Sequence, residues 1–389
     1  MTLLKPIYQS FTVQHQYQLH FTEGVFDRGN TLLADLIATF DQAGPVKLLF
    51  VVDKGLLDHY SHLILDIKAY CSKYNGSLDL TKILLVSAGE ASKNDNNQLE
   101  TVLEEINDLS ICRHSFVIAV GGGAVIDMAG YAAATAHRGV KIIRIPTTVL
   151  AQNDAAVGVK NGVNKFGKKN FIGAFATPFA IVNDLTFLKT LEQRDWISGI
   201  AEAIKVALIK DKVFFEYIRR NVKQLAERNT EAMSQVIYRC AELHMQHIAQ
   251  GGDPFESGSS RPLDFGHWAA HKLEQMTSYQ LRHGEAVAMG IALDVTYAHF
   301  IGLIDEKTLL TIVEVLSGVG FNLSLPIHTV AQLEELVKGL EEFREHLGGE
   351  LTITLISGLG EKYDVHEIDM EKMAKAIIVR SGLKEELFC

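Results

Sequence analysis

The sequence predicts an α/β domain built on a mostly parallel sheet, followed by a mainly α-helical domain. Two observations carry this. In the first half, short apolar runs alternate with amphipathic stretches: VKLLFVVD at 46–53, KILLVS at 82–87, FVIAV at 116–120 and KIIRIPTT at 141–148. Runs that are apolar at nearly every position suit strands covered on both faces, the condition of a parallel sheet. From about residue 190 the texture changes to long helical patterns, among them GIAEAIKVALI, EAMSQVIYRCAELHMQHIAQ and HGEAVAMGIALDVTYAHFIGLI, interrupted by the polar, glycine-rich GGDPFESGSSRP. We set the boundary between units 1–187 and 188–389. The late run LTITLISGLG at 351–360 is β-like and is given no role.

Composition narrows the class. A chain of 389 residues, 47% of them hydrophobic, is long enough to bury two cores. The formal charge of -10 is spread along the chain, and no basic stripe with interleaved aromatics marks a nucleic-acid surface. Cys71, Cys112, Cys240 and Cys389 lack the paired spacing of a zinc ribbon or a disulfide framework, so reduced thiols and a cytoplasmic setting are expected. The N-terminal stretch has no secretory pattern, and no apolar run is long enough for a membrane span.

The chemistry-bearing residues follow in chain order. Asp53 closes the first long strand, where a carboxylate can hold a ribose hydroxyl or cap a helix. Gly121, Gly122 and Gly123 lie where a strand meets a helix, so a phosphate could approach backbone N–H groups at the positive helix end; a tight turn without ligand needs similar residues. Thr147 and Thr148 end another strand on the same edge. The segment 152–175 concentrates Asp154, Lys160, Lys165, Lys168, Lys169 and Asn170 among small and apolar residues, which suits an anionic, hydroxyl-rich ligand better than a solvated loop. Glu202 and Lys205 share a helical face within an apolar pattern, either lining one polar cavity or pairing with each other. His267 and His271 stand four apart on one face and His283 opens another helix; with Glu202 they offer carboxylate and imidazole donors to Zn²⁺ or a similar ion.

In order and spacing, SAGEASK, GGGAVIDMAGYAAATAHRG, IPTTVLAQNDAAVGVKNGVN, KKNFIGAF, DLTFLKTL, GIAEAIK, FGHWAAH and RHGEAVAMG resemble the sugar phosphate cyclases, the family of 3-dehydroquinate synthase and the 2-epi-5-epi-valiolone synthases. The resemblance runs from about residue 45 to 360. It implies that Glu202, His267 and His283 hold Zn²⁺ or Co²⁺, and that Asp53, Glu90, Lys93, Gly121, Gly122, Gly123, Asp127, Thr147, Thr148, Lys169 and Thr190 contact NAD. Asp154, Lys160, Asn170, Lys205, Arg261, Asp264 and His271 then match the substrate residues, and Arg138 an arginine lent to the neighbouring subunit of a homodimer. The implied reaction oxidises a secondary alcohol transiently, eliminates phosphate, reduces the ketone again and closes a carbocycle by an intramolecular aldol step.

Departures bear on the substrate. Asp264 stands where dehydroquinate synthases usually carry Asn, His244 stands where they usually carry Lys, and FREHLGGELTITL replaces a basic run. These changes, with VGVKNG, look more like the cyclases that take sedoheptulose 7-phosphate, although His271 replaces the proline common among valiolone-type enzymes. The first expectation is therefore a cyclase acting on a seven-carbon ketose phosphate. Dehydroquinate synthase activity on 3-deoxy-arabino-heptulosonate 7-phosphate is the alternative, and an NAD-dependent metal alcohol dehydrogenase of the glycerol type is a second, disfavoured by the cations at 160–170 and by Arg138.

Overall fold

A computed structural model describes residues 4–40, 44–166, 168–255 and 261–383. The first half contains β1 (Gln18–Thr22), α1 (Leu32–Ala38), β2 (Val46–Asp53), α2 (Leu63–Lys73), β3 (Leu78–Val86), α3 (Ala91–Asn94), α4 (Asn96–Asp108), β4 (Phe116–Gly121), α5 (Gly123–Thr135), β5 (Lys141–Pro146), β6 (Lys160–Lys165), β7 (Lys168–Phe175) and β8 (Ala180–Asp184). Six strands pair in the order β1-β8-β5-β4-β2-β3, all parallel. In β2, Leu48, Phe50 and Val52 face the core beneath α1 and α2, while Leu49 and Val51 face the core beneath α4 and α5. Both faces are covered, which is why the strand reads as one apolar run.

The strand order reverses between β2 and β4, the place where open sheets of this kind bind ligands at their carboxyl ends. At the outer edge, β3 pairs with β2 through a bulge, because Leu48 and Leu49 face Leu80 and Lys82 and leave Thr81 as the extra residue. Lys82 is ion-paired there with Glu105.

The second half is helical: α6 (Gln193–Lys210), α7 (Lys212–Arg220), α8 (Val222–Ala226), α9 (Thr230–Gln250), α10 (His267–Met276), α11 (His283–Phe300), α12 (Glu306–Gly318), α13 (Val330–His346) and α14 (Met370–Ser381). The late β-like run is β9 (Ile353–Gly358), which pairs antiparallel with β10 (Glu361–Val365) and leans on α6 through the Gly360 N–H to Leu208 carbonyl bond. Two glycines set how closely the helices converge. A Cβ on Gly284 would fall 1.9 Å from the Ser198 carbonyl oxygen, and one on Gly290 2.0 Å from that of Gly266, so α11 touches backbone on both neighbours. The starts of α10 and α11 are thereby brought against the middle of α6.

The segment 152–175 is more ordered than a Gly-punctuated stretch suggests. It forms a π-helical turn at Ala151–Ala155, then the antiparallel hairpin β6–β7. Cys71 and Cys240 are buried free thiols and Cys112 an exposed one, while Cys389 lies outside the described residues. No helix among the described residues is long and apolar enough to cross a membrane.

Candidate active site

At the switch point, β4 runs into the glycine turn. Two of its three glycines are required by packing alone. A Cβ on Gly121 would meet Asp53 and Val125 at 3.0 Å, and one on Gly123 would meet Ala155 at 2.9 Å. Gly122 differs, since its nearest neighbour would be Thr148 Cγ2 at 3.6 Å, so it leaves open the approach to the start of α5. Asp53 accepts the Gly55 N–H at 2.9 Å; burial raises its carboxyl pKa, against the pull of the Gly55 and Gly122 N–H groups. Thr147 donates its N–H to the Gly121 carbonyl at 3.0 Å, and the Thr148 hydroxyl accepts the Ala151 N–H at 3.1 Å. Asp53, the glycines and both threonines thus share one strand-end crevice.

Beside it lies a polar network. Lys93, buried, donates to Asp127 on α5 at 2.8 Å and to the side chain of Asn170. Asn164 donates to Glu90 at 2.7 Å and accepts the Asn170 N–H at 2.8 Å. Asn170 thus sits in one hydrogen-bonded network with Lys93, Asp127 and Asn164. Thr190 ends the turn Leu185–Thr190 after β8, next to Tyr60.

The helical half supplies the other wall. Glu202 is fully buried on α6 and paired with Lys205 one turn on, so of the two arrangements expected of these groups the structure shows the mutual pairing. Burial would push the Glu202 carboxyl up, but Lys205 and His267 hold it well below the ordinary range, while Glu202 and Asp154 raise the Lys205 ammonium against the same burial. Glu202 Oε1 lies 3.5 Å from His267 Nε2 and 3.4 Å from His283 Nε2. Among the described residues neither carboxylate oxygen has a hydrogen bond of good geometry, its close neighbours being the Lys205 ammonium and the two imidazoles. Each imidazole nitrogen thus stands from the carboxylate oxygen at about the spacing of two donors each about 2.1 Å from a tetrahedral ion, and the three donor atoms lie within 4.8 Å of one another. These residues fit a divalent metal with a position left for an oxygen ligand. His271 is not part of this set: its ring stacks beside His283, with centroids 6.0 Å apart and planes 23° apart.

Asp154, on the π-turn, faces His244 of α9 at 3.1 Å. Asn153 ties the same turn to α6 by donating to the Gly199 carbonyl at 2.7 Å. Arg261 precedes, and Asp264 ends, the short turn Pro262–Asp264 that leads into α10. Burial pushes the Asp264 carboxyl up, yet Lys160, His267, Lys205 and His271 together outweigh it and keep it ionised. Arg138 stands apart on an exposed turn past the far end of α5, roughly 20 Å along that helix from the glycines, so a single chain does not bring it to the cluster.

Several supporting residues escaped the sequence reading. Arg144, fully buried on β5, donates to the Ala156 carbonyl at 2.8 Å and to the Gly158 carbonyl and Asn161 Oδ1 at 2.6 Å each, fixing the backbone between Asp154 and Lys160. Asp294 accepts the Gly266 N–H at 3.0 Å and the Trp268 indole N–H at 2.9 Å, bracketing His267. Glu274 was legible in principle, since it lies on the α10 face already marked by His267 and His271.

Comparison with known proteins agrees with this architecture. Residues 83–198 match the 3-dehydroquinate synthase N-terminal family model and residues 199–342 the C-terminal one. The chain is 34% identical over 324 residues to the 3-dehydroquinate synthase of Alkaliphilus metalliredigens (strain QYMF), covering 83% of this chain and 87% of that protein. It superposes with a TM-score of 0.87 and 25% identity on ValA, a 2-epi-5-epi-valiolone synthase from Streptomyces hygroscopicus subsp. jinggangensis 5008 solved with NAD⁺ and Zn²⁺ bound, covering 97% of this chain and all of that one. A 2-deoxy-scyllo-inosose synthase solved with carbaglucose-6-phosphate, NAD⁺ and Co²⁺ shares the fold at a TM-score of 0.76 and 21% identity, over 94% of this chain and 96% of that one. With both halves matched in order across the sheet edge and the convergent helices, the chain belongs to the 3-dehydroquinate synthase family of sugar phosphate cyclases.

Proposed function

We propose that this chain is an NAD- and metal-dependent cyclase that converts sedoheptulose 7-phosphate to a carbocycle with loss of inorganic phosphate. NAD and Zn²⁺ or Co²⁺ would supply reversible oxidation of a secondary alcohol and a positive charge beside it. Glu202, His267 and His283 would hold the metal. Asp53, the glycine turn, Thr147, Thr148, Glu90, Lys93, Asp127, Lys169 and Thr190 would hold NAD. Lys205 stays an ammonium between the carboxylates of Glu202 and Asp154, balancing charge where a proton leaves the alcohol. Asp154, with His244 behind it, can take and return that proton. Lys160, Asn170, Arg261 and His271 would orient the sugar phosphate, and Arg138 would complete the phosphate site of a second subunit in a homodimer.

The observation that carries the substrate choice is Asp264. It is an ionised carboxylate under the influence of Lys160, Lys205 and His271, at a position where dehydroquinate synthases usually carry a neutral Asn. A substrate carboxylate at that end would meet like charge; a hydroxymethyl group would not. His244 supports the same reading, because it is engaged by Asp154. Relatives named 3-dehydroquinate synthase favour the second reading, with 3-deoxy-arabino-heptulosonate 7-phosphate as substrate.

Phosphate release is measured from each sugar phosphate with NAD⁺ and Zn²⁺ or Co²⁺ present. Turnover of sedoheptulose 7-phosphate alone supports the proposal. Turnover of the acidic sugar alone assigns the second reading, and NADH accumulation without phosphate release would mean an alcohol dehydrogenase.

A further inference from the structure

We propose that Glu274 is a positioning residue that aims His283 at the metal, and that Lys169 of the hairpin β6–β7 holds Glu274 in place. The inference rests on the metal reading of Glu202, His267 and His283. Glu274 is only 4% exposed; its Oε2 lies 3.2 Å from His283 Nδ1 and its Oε1 2.9 Å from Lys169 Nζ. The other nitrogen of the same ring, Nε2, faces Glu202. A carboxylate that accepts from Nδ1 fixes the proton there and turns the Nε2 lone pair toward the ion.

The partner imidazole shows the same device in another form, for His267 Nδ1 faces the Phe265 carbonyl at 3.1 Å. A backbone carbonyl next to a helix start is already fixed. A glutamate side chain is not, and the Lys169 ammonium supplies the restraint. Burial alone would lower the Lys169 pKa, but Glu274 and Glu90 raise it, so the pair stays charged. His271, Glu274 and His283 also lie close enough together to be read as a second metal group. The Lys169 ammonium on the Glu274 carboxylate argues against that assignment, since a second ion would face a cation at its own ligand. Affinity at the helical metal site thus depends on a lysine from the sheet-bearing half.

The test compares Zn²⁺ affinity, by competition with a chelator, and the visible spectrum of the Co²⁺ form, using the full chain without NAD. Glu274→Gln should weaken Zn²⁺ about 10–100-fold and shift the Co²⁺ bands. Lys169→Met should weaken Zn²⁺ about tenfold, the lower end of that range, and Lys169→Arg should restore most of it. Unchanged affinity in Glu274→Gln overturns the positioning role; unchanged affinity in Lys169→Met overturns the coupling. The Lys169 side chain is 21% exposed, so Lys169→Met reports on the idea even where Glu274→Gln fails to fold. A parent chain that binds neither ion overturns the metal reading itself, an outcome distinct from either.

Discussion

Glu202 shows how much a single side chain can carry. Its carboxylate is fully buried, bound to Lys205 and turned toward two imidazoles, so Glu202→Ala should abolish metal retention and turnover together, read by metal content after gel filtration and by phosphate release. Asp294 predicts a pH effect. Burial raises its carboxyl from 3.8 to about 7 despite two accepted hydrogen bonds. Between those values the unfolded chain has released the proton and the folded chain keeps it, so this group's contribution to stability falls as pH rises through the window and levels off above it. Asp294→Asn should remove that slope, worth up to about 4 kcal/mol at about 1.4 kcal/mol per pH unit, as seen in denaturant unfolding on either side of the window. Glu202, His267, His283 and the three glycines were legible as candidates because a carboxylate, imidazoles or a glycine run stands out within an apolar pattern. Arg144 and Asp294 were not, because a lone charge in a strand or helix pattern does not show which distant carbonyls or N–H groups it meets.

Among the elements, β2, β4 and β5 were legible because both of their faces are buried. β1 and β8 were missed: QLHFT is half polar at a sheet edge, and AIVND is short. The hairpin β6–β7 hid behind its composition, since Lys160–Lys165 reads polar while Gly162 lets the backbone come close to the Ile172 carbonyl, only 2.7 Å from where a Cβ would stand. Its footing is the Arg144–Asn161 pair, and Arg144→Met would leave three acceptors without this donor, a loss on the order of 3 kcal/mol detectable as a lowered Tm. Helix convergence makes a second prediction. Gly290→Ala should wedge α11 from the start of α10, destabilise the fold by roughly 1–3 kcal/mol and weaken Zn²⁺ binding through displacement of His267.

At the scale of the whole molecule, the exposed position of Arg138 makes a complementation experiment decisive for the proposed shared site. Arg138→Ala and Glu202→Ala should each be inactive alone. After subunit exchange at equal concentrations, half the dimers are mixed and each mixed dimer has one intact site, so about a quarter of full activity should return. No recovery would confine Arg138 to its own chain. The sheet also has two unlike borders. The extra residue Thr81 twists β3 away from flat pairing, and Lys82 stands on the same strand beside Glu105. Such a border resists accretion of further chains, and deletion of Thr81 would straighten it into a template for intermolecular strand pairing, with turbidity rising on concentration.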